Sequence, residues 1–336
     1  MRVLLACLML SACAAAPATD AVLQRADVQQ FIADVSRRNG IPSAEISAIL
    51  SQAILSSQII AAISRPAEAL PWHRYREIFL QPERIQGGVQ FWRENSAALE
   101  RASNAYGVPV EILVAIIGVE TRYGKNTGGY RVLDALATLA FDYPKRADFF
   151  RGELEQFLLL TREQKLEPLE LKGSYAGAMG TPQFIPSSFR RFAVDFDVDG
   201  RIDIWNSNAD AIGSVANYFR EHGWQSGGLV ALPLAADVAP ADALLSDDLE
   251  PKLSPAMLAQ NGIVSPVPIP ADHKVKILTL EAESGPEHWL GFWNFYVITR
   301  YNHSVLYAMA VHQLAQDILA GHEAEAAPAP AGKPDA

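Results

Sequence analysis

The feature that most limits how this chain can fold is the segment 109–124, its most apolar helix candidate. Pro109 suits a first helical position, Glu111 falls in the first turn, and Gly124 suits the C-terminal stop. A helix that is apolar on almost every side has to be buried, so other helices must be built around this one. In Ile116-Ile117-Gly118-Val119-Glu120-Thr121-Arg122-Tyr123-Gly124, Glu120 is the only acid after Glu111. A carboxylate there meets two effects that raise its pKa: loss of water, and the negative end of the helix dipole in the last turn. Both keep it protonated near neutral pH, the state a general acid needs. The plainer reading pairs Glu120 with Arg122 or another cation as a helix-end salt bridge.

The remaining pattern supplies the surrounding helices. Apolar residues at three- and four-residue spacing run from Val22 to about Gln81, with Phe31, Ile32 and Val35 on one face and Ile46, Ile49, Leu50 and Ala53 on another. Further helices are predicted at 88–106, 132–140, 146–160, 209–222 and 303–320. After Gly227 the composition changes, and 229–235, 275–281 and 289–298 read as strands. The expected fold is mainly α. It has an N-terminal helical region (21–107), a helical core (108–227), a small β-rich insert (228–298), a returning C-terminal helix (299–320) and a disordered tail (321–336). Apolar residues make up 49% of the 336, enough for a substantial core. The formal charge of −10 offers no basic surface, which argues against nucleic acid as a partner.

The first residues point to a compartment. Arg2 precedes an apolar run too short to span a bilayer, and the run ends in Leu10-Ser11-Ala12-Cys13. This resembles the lipobox of bacterial lipoprotein signal peptides, which implies removal of residues 1–12 and a lipid on the Cys13 thiol. Residues 13–20 then read as a tether. Ala14 rather than Asp follows the Cys, so the resemblance implies an outer-membrane lipoprotein facing the periplasm, held to the membrane by its lipid alone. The other reading is an ordinary signal peptide cut near Ala16. Only Cys7 and Cys13 occur, so the mature body has no disulfide.

A second chemical segment is Gly173-Ser174-Tyr175-Ala176-Gly177-Ala178-Met179-Gly180-Thr181-Pro182-Gln183-Phe184-Ile185-Pro186-Ser187. Small residues and turn formers let backbone approach a ligand closely, while Ser174, Tyr175 and Gln183 offer polar and stacking contacts. Together with the Glu120 segment it closely resembles the lytic murein transglycosylase B family, whose cores are lysozyme-like. Asp134-Ala135-Leu136-Ala137-Thr138-Leu139, Phe141-Asp142-Tyr143-Pro144-Lys145-Arg146, Ala211-Ile212-Gly213-Ser214-Val215-Ala216-Asn217-Tyr218-Phe219 and Thr299-Arg300-Tyr301-Asn302-His303-Ser304 extend the likeness, in the same order, over nearly all of 25–320.

The resemblance implies a peptidoglycan lytic transglycosylase with Glu120 as its sole catalytic carboxylate and no cofactor for catalysis. Glu120 would protonate the oxygen between N-acetylmuramic acid and N-acetylglucosamine. The muramic C6 hydroxyl would then attack C1, giving a 1,6-anhydro sugar. Ser174, Gln183, Tyr218, Tyr301, Asn302, Tyr307 and Arg146 fall on positions lining the family's glycan cleft. Core packing is the alternative for Tyr218 and Tyr301, and an N-terminal cap for Asn302. Rival functions are a hydrolytic muramidase and a catalytically silent peptidoglycan-binding lipoprotein. Proteins of cell-wall synthesis are candidate further partners.

A third segment, Asp195-Phe196-Asp197-Val198-Asp199-Gly200-Arg201, matches the first half of an EF-hand loop, with oxygen ligands at positions 1, 3 and 5 and Gly at 6. Position 12 is Asn206 rather than the bidentate Glu. The family's longer loop closes with a later Asp, best matched by Asp210, and this chain carries one residue more before it. The candidate set for a structural Ca2+ is Asp195, Asp197, Asp199, Arg201 and Asp210. The alternative is a solvated acidic turn whose Asp210 helps start the next helix. The seven His show no metal-ligand spacing, and no glycine-rich phosphate loop occurs.

Overall fold

The computed structural model describes residues 22–65 and 70–326. The leader, Cys13, the tether and residues 327–336 lie outside the described residues. The fold is mainly α with two small antiparallel sheets, and its centre is the helix Val110–Thr121. Residues 112–119 of that helix are all buried, as its all-round apolarity demands. The helices Pro82–Glu94, Ser96–Tyr106, Asn208–Glu221 and Val305–Ala326 pack around it. Among the described residues no single helix is long and apolar enough to cross a membrane.

The central helix ends earlier than its sequence suggests. Its stop is not Gly124: Arg122 already takes a left-handed conformation (φ 52°), and so does Tyr123 (φ 62°). The cause is packing. Tyr123 turns back beneath the helix, and its hydroxyl donates to the Arg84 carbonyl at 2.7 Å. A Cβ on Gly118 would lie 2.6 Å from that hydroxyl, so only glycine admits the ring there. The predicted 88–106 helix is likewise two helices, Pro82–Glu94 and Ser96–Tyr106, separated at Asn95. The Asn95 side chain donates to the Phe91 carbonyl at 2.9 Å and occupies an acceptor at the end of the first helix.

The insert holds the sheet Ala231–Pro233, Gly285–Gly291, Lys276–Ala282, in that spatial order. Pleating serves two cores: Val275 and Ile277 face the insert's own cluster with Leu258, Ile263 and Phe292, while Leu278 and Leu280 join the main core. Two expectations need correction here. The 289–298 strand stops at Gly291, and Trp293–Thr299 is a helix. Its apolar run is too short for periodicity to separate a buried strand from a buried helix. The tail is not wholly irregular either, because the last helix continues to Ala326. Ala and Glu favour it intrinsically, the Trp92 ring stacks on His322 at 4.2 Å, and Arg93 pairs with Glu325.

Candidate active site

Glu120 stands in the last turn of the central helix, where the buried scaffold fixes its backbone. Tyr307, in the first turn of Val305–Ala326, donates its hydroxyl to Glu120 Oε1 at 2.5 Å. Burial pushes the Glu120 carboxyl up to about 7, and the Tyr307 hydrogen bond acts weakly in the opposite sense. No second carboxylate contributes to that shift. The helix-end salt bridge does not form, since Glu120 takes part in none of the ion pairs among the described residues. Arg122 is exposed and faces a different surface, beside Arg84.

The loop 173–187 is fastened to this helix end. Thr121 Oγ donates to the Thr181 carbonyl at 2.9 Å and accepts from the Gly124 amide at 3.0 Å. Gly180 (φ 65°) lies so close to the Ile204 carbonyl that a Cβ would come within 2.6 Å of it. Gln183, also left-handed (φ 52°), donates Nε2 to the Thr127 and Gly180 carbonyls at 3.1 and 2.9 Å. The Ser174 hydroxyl oxygen accepts the Ala176 and Ala178 amides at 3.2 and 3.1 Å, which closes a tight turn and leaves its proton to donate outward. Tyr175, on that turn, is 38% exposed, a large ring presented to solvent.

Tyr218 and Tyr301 form an aromatic wall against the loop 173–187. Their ring centroids lie 4.7 Å apart, each also packs on Phe184, and burial raises the pKa of both, with the nearby Glu120 charge adding to it. Their hydroxyls donate inward, Tyr218 to the Arg300 carbonyl at 2.6 Å and Tyr301 to the Pro182 carbonyl at 2.7 Å. Tyr218 is buried and packs as part of the core. Asn302 is exposed and does not cap the last helix: Ser304 does, its Oγ accepting the Tyr307 amide at 3.3 Å. Arg146 is exposed too, its guanidinium over Phe149 at 4.3 Å, and among the described residues no hydrogen bond or ion pair joins it to the Glu120 cluster.

Sequence reading missed two residues that hold this helix end. Buried Arg84 donates to the Gly118 carbonyl at 2.7 Å and supports the end of the central helix. Thr121 ties the loop to that helix. An arginine two residues into an otherwise ordinary amphipathic helix gives no local sign of burial, whereas the Thr next to Glu120 was open to notice.

In the acidic loop, one carboxylate oxygen each from Asp195, Asp197 and Asp210 lie within 4.8 Å of one another. Asp210 is 1% exposed, accepts the Phe196 and Asp203 amides at 2.7 Å each, and has its pKa raised by burial and then by Asp197. Three converging acids that take part in no ion pair among the described residues form a hard-oxygen donor set that suits a divalent cation. Asp199 is outside the trio: it accepts the Arg201 amide at 2.9 Å. Ser207, not Asp210, caps the following helix, accepting the Asp210 amide at 3.2 Å.

Residues 23–316 match the transglycosylase SLT domain, and the membrane-bound lytic murein transglycosylase B of Escherichia coli K12 is 45% identical over 302 residues, 87% of this chain and 82% of that one. The chain belongs to the transglycosylase SLT family. Its fold agrees: the catenated lytic transglycosylase SltB1 of Pseudomonas aeruginosa superposes with a TM-score of 0.85 at 48% identity, covering 89% of this chain and 98% of that one. Slt35 of Escherichia coli, a lytic transglycosylase solved in complex with calcium, gives 0.80 at 44% identity over 89% and 95%. The chain is therefore a lysozyme-like lytic transglycosylase, an enzyme rather than a silent binder.

Proposed function

We propose that this transglycosylase cuts the β-1,4 bond between N-acetylmuramic acid and N-acetylglucosamine in peptidoglycan, with Glu120 as its one acid–base group. The observation that carries the assignment is a carboxyl with a pKa near 7, gripped by Tyr307 and influenced by no second acid. Most glycosidases need two carboxylates, one for the proton and one as nucleophile or water activator. A lone acid suits a reaction whose nucleophile belongs to the substrate. Glu120 gives its proton to the glycosidic oxygen as that bond breaks. The carboxylate so formed takes the proton of the muramic C6 hydroxyl, whose oxygen bonds to C1. The products are a 1,6-anhydromuramoyl end and a free N-acetylglucosamine end, with no water consumed.

The other cleft assignments follow from this reading. Tyr175 and the Tyr218–Tyr301 wall stack on sugar faces, Ser174, Gln183 and Asn302 hydrogen-bond sugar substituents, and Arg146 meets the glycan farther out. Asp195, Asp197 and Asp210 hold a Ca2+ ion, with Asp199 and Arg201 shaping the loop, and the ion stabilises the fold with no part in the chemistry. The enzyme resides in the cell envelope as an outer-membrane lipoprotein anchored at Cys13 and facing the periplasm.

The direct test is Glu120→Gln. The amide keeps the shape and the acceptor for Tyr307 but has no transferable proton, so glycan cleavage should fall by about 10²–10⁴ while glycan binding persists. Near-normal turnover in the variant would remove Glu120 from the mechanism.

A further inference from the structure

Arg84 is a buried charge with no counter-ion. It is 8% exposed, and among the described residues it takes part in no ion pair. Two of the five N–H groups of its guanidinium donate to carbonyls, to Gly118 at 2.7 Å and to Ile78 at 3.3 Å, and the group lies 5.2 Å from the centre of the Phe79 ring. Carbonyls and a ring temper the cost of burying a cation, but they carry no charge to cancel it. An arginine buried this far is ordinarily paired.

Its charged neighbour has the same sign. Burial lowers the Arg84 pKa, and the Arg122 guanidinium lowers it further. The two share a cavity of about 340 Å³, and Lys125 lines it with them. Local backbone explains the meeting. Arg122 and Tyr123 are both left-handed, which turns the chain at the end of the central helix and brings Arg122 and Lys125 round to the helix Pro82–Glu94, where Arg84 stands. Glu83 is the only acid in the lining, and among the described residues it pairs with none of the three. Three cations and one acid give the lining a net charge of +2.

Cations gathered in this way repel one another, and an anion among them turns the repulsion into attraction. A guanidinium with N–H groups to spare is the side chain best shaped to receive an oxyanion.

We propose that this cavity binds a phosphate dianion, inorganic or the head of a phosphomonoester, between the Arg84 and Arg122 guanidinium groups, with Lys125 as the third cation. Phosphate suits it better than a carboxylate does: its charge near pH 7, about −1.5 to −2, matches the lining, and its three free oxygens can meet three cations. No residue of the lining belongs to the Glu120–Tyr307 pair or to the loop 173–187, so the site does not depend on the role given to Glu120. The ligand joins Pro82–Glu94 to the end of the central helix and stabilises that end by mass action.

The test titrates inorganic phosphate, at constant ionic strength, into the full-length protein and into the double variant Arg122→Asn, Lys125→Gln, with binding read by calorimetry. Both side chains are exposed, and Asn accepts the left-handed backbone at 122, so parent and variant should melt together when phosphate is absent. The parent should bind, and the variant should bind at least about tenfold more weakly, two charge-assisted contacts being lost. Phosphate stabilises many proteins without a site, so the melting temperature should rise more in the parent than in the variant. In the parent the Arg84 Nε–H resonance should shift as phosphate is added, which locates the ion whether or not the variant folds. Acetate supplies a carboxylate for comparison, and phosphatidylcholine vesicles with and without phosphatidic acid supply a lipid. Vesicle binding that needs phosphatidic acid and is lost in the variant would make a lipid head the source, and binding of phosphate alone a soluble one. Equal affinity in parent and variant, an unmoved Arg84 resonance, or acetate bound as tightly as phosphate would overturn the proposal.

Discussion

At the scale of single residues, the acid role proposed for Glu120 works against stability. Its pKa in the folded protein is about 7, above the ordinary carboxyl value of 4.5. Ionising it therefore opposes folding: the full stability is present below pH 4.5 and is lost as pH rises through 7. Glu120→Gln escapes that loss, so the variant should match the parent in acid and exceed it by an amount on the order of 3 kcal/mol above pH 7. Denaturant melts of both proteins from pH 4 to 8 measure this, and a difference independent of pH would contradict it. Tyr307 tunes the same group. Its hydrogen bond favours the ionised carboxyl, so Tyr307→Phe should raise the Glu120 pKa and carry the alkaline limb of the pH–kcat/KM profile to higher pH, with kcat down about tenfold. An unmoved limb would make Tyr307 a packing residue only.

At the scale of elements, the central helix and the 173–187 loop act as one piece because Thr121 joins them. Thr121→Val keeps the volume but leaves the Thr181 carbonyl and the Gly124 amide without that partner, at a cost of about 1–3 kcal/mol. Loosening should raise KM more than it lowers kcat, and steady-state kinetics with a thermal melt would show whether it does. The same elements show what sequence can and cannot reveal. The central helix was legible because eight successive buried residues leave no polar face, and the Glu stood out against them. The helix end was not, because its stop comes from Tyr123 packing on Gly118 and bonding Arg84, a residue 39 positions away. The two tyrosines of the wall were nameable from motifs. Their inward hydroxyls were not, because the Arg300 and Pro182 carbonyls they bond lie 82 and 119 positions away. The insert's 289–298 run had no periodicity to mark the change from strand to helix, so only tertiary packing decided it.

At the scale of the whole molecule, the fold surrounds one buried helix with others and adds an insert whose sheet shares its edge strand between two cores. Cys7 and Cys13 are the only cysteines, so the described residues hold no disulfide and packing carries their stability. Calcium at a hundred times its Kd should stabilise the fold by about 2.7 kcal/mol. Metal-stripped protein should therefore melt lower, recover on adding Ca2+, and lose that response when Asp195 and Asp197 are both changed to Asn. A melting temperature indifferent to Ca2+ would leave the loop an acidic turn. The central claim concerns the single acid and a nucleophile taken from the substrate, and the products report on it directly. Purified peptidoglycan digested to completion, with products analysed by mass spectrometry, should yield muropeptides ending in 1,6-anhydromuramic acid, each one water lighter than its hydrolytic counterpart. Muropeptides with ordinary reducing muramic ends, carrying ¹⁸O when the digest is run in labelled water, would mean that water attacks C1 and would contradict it.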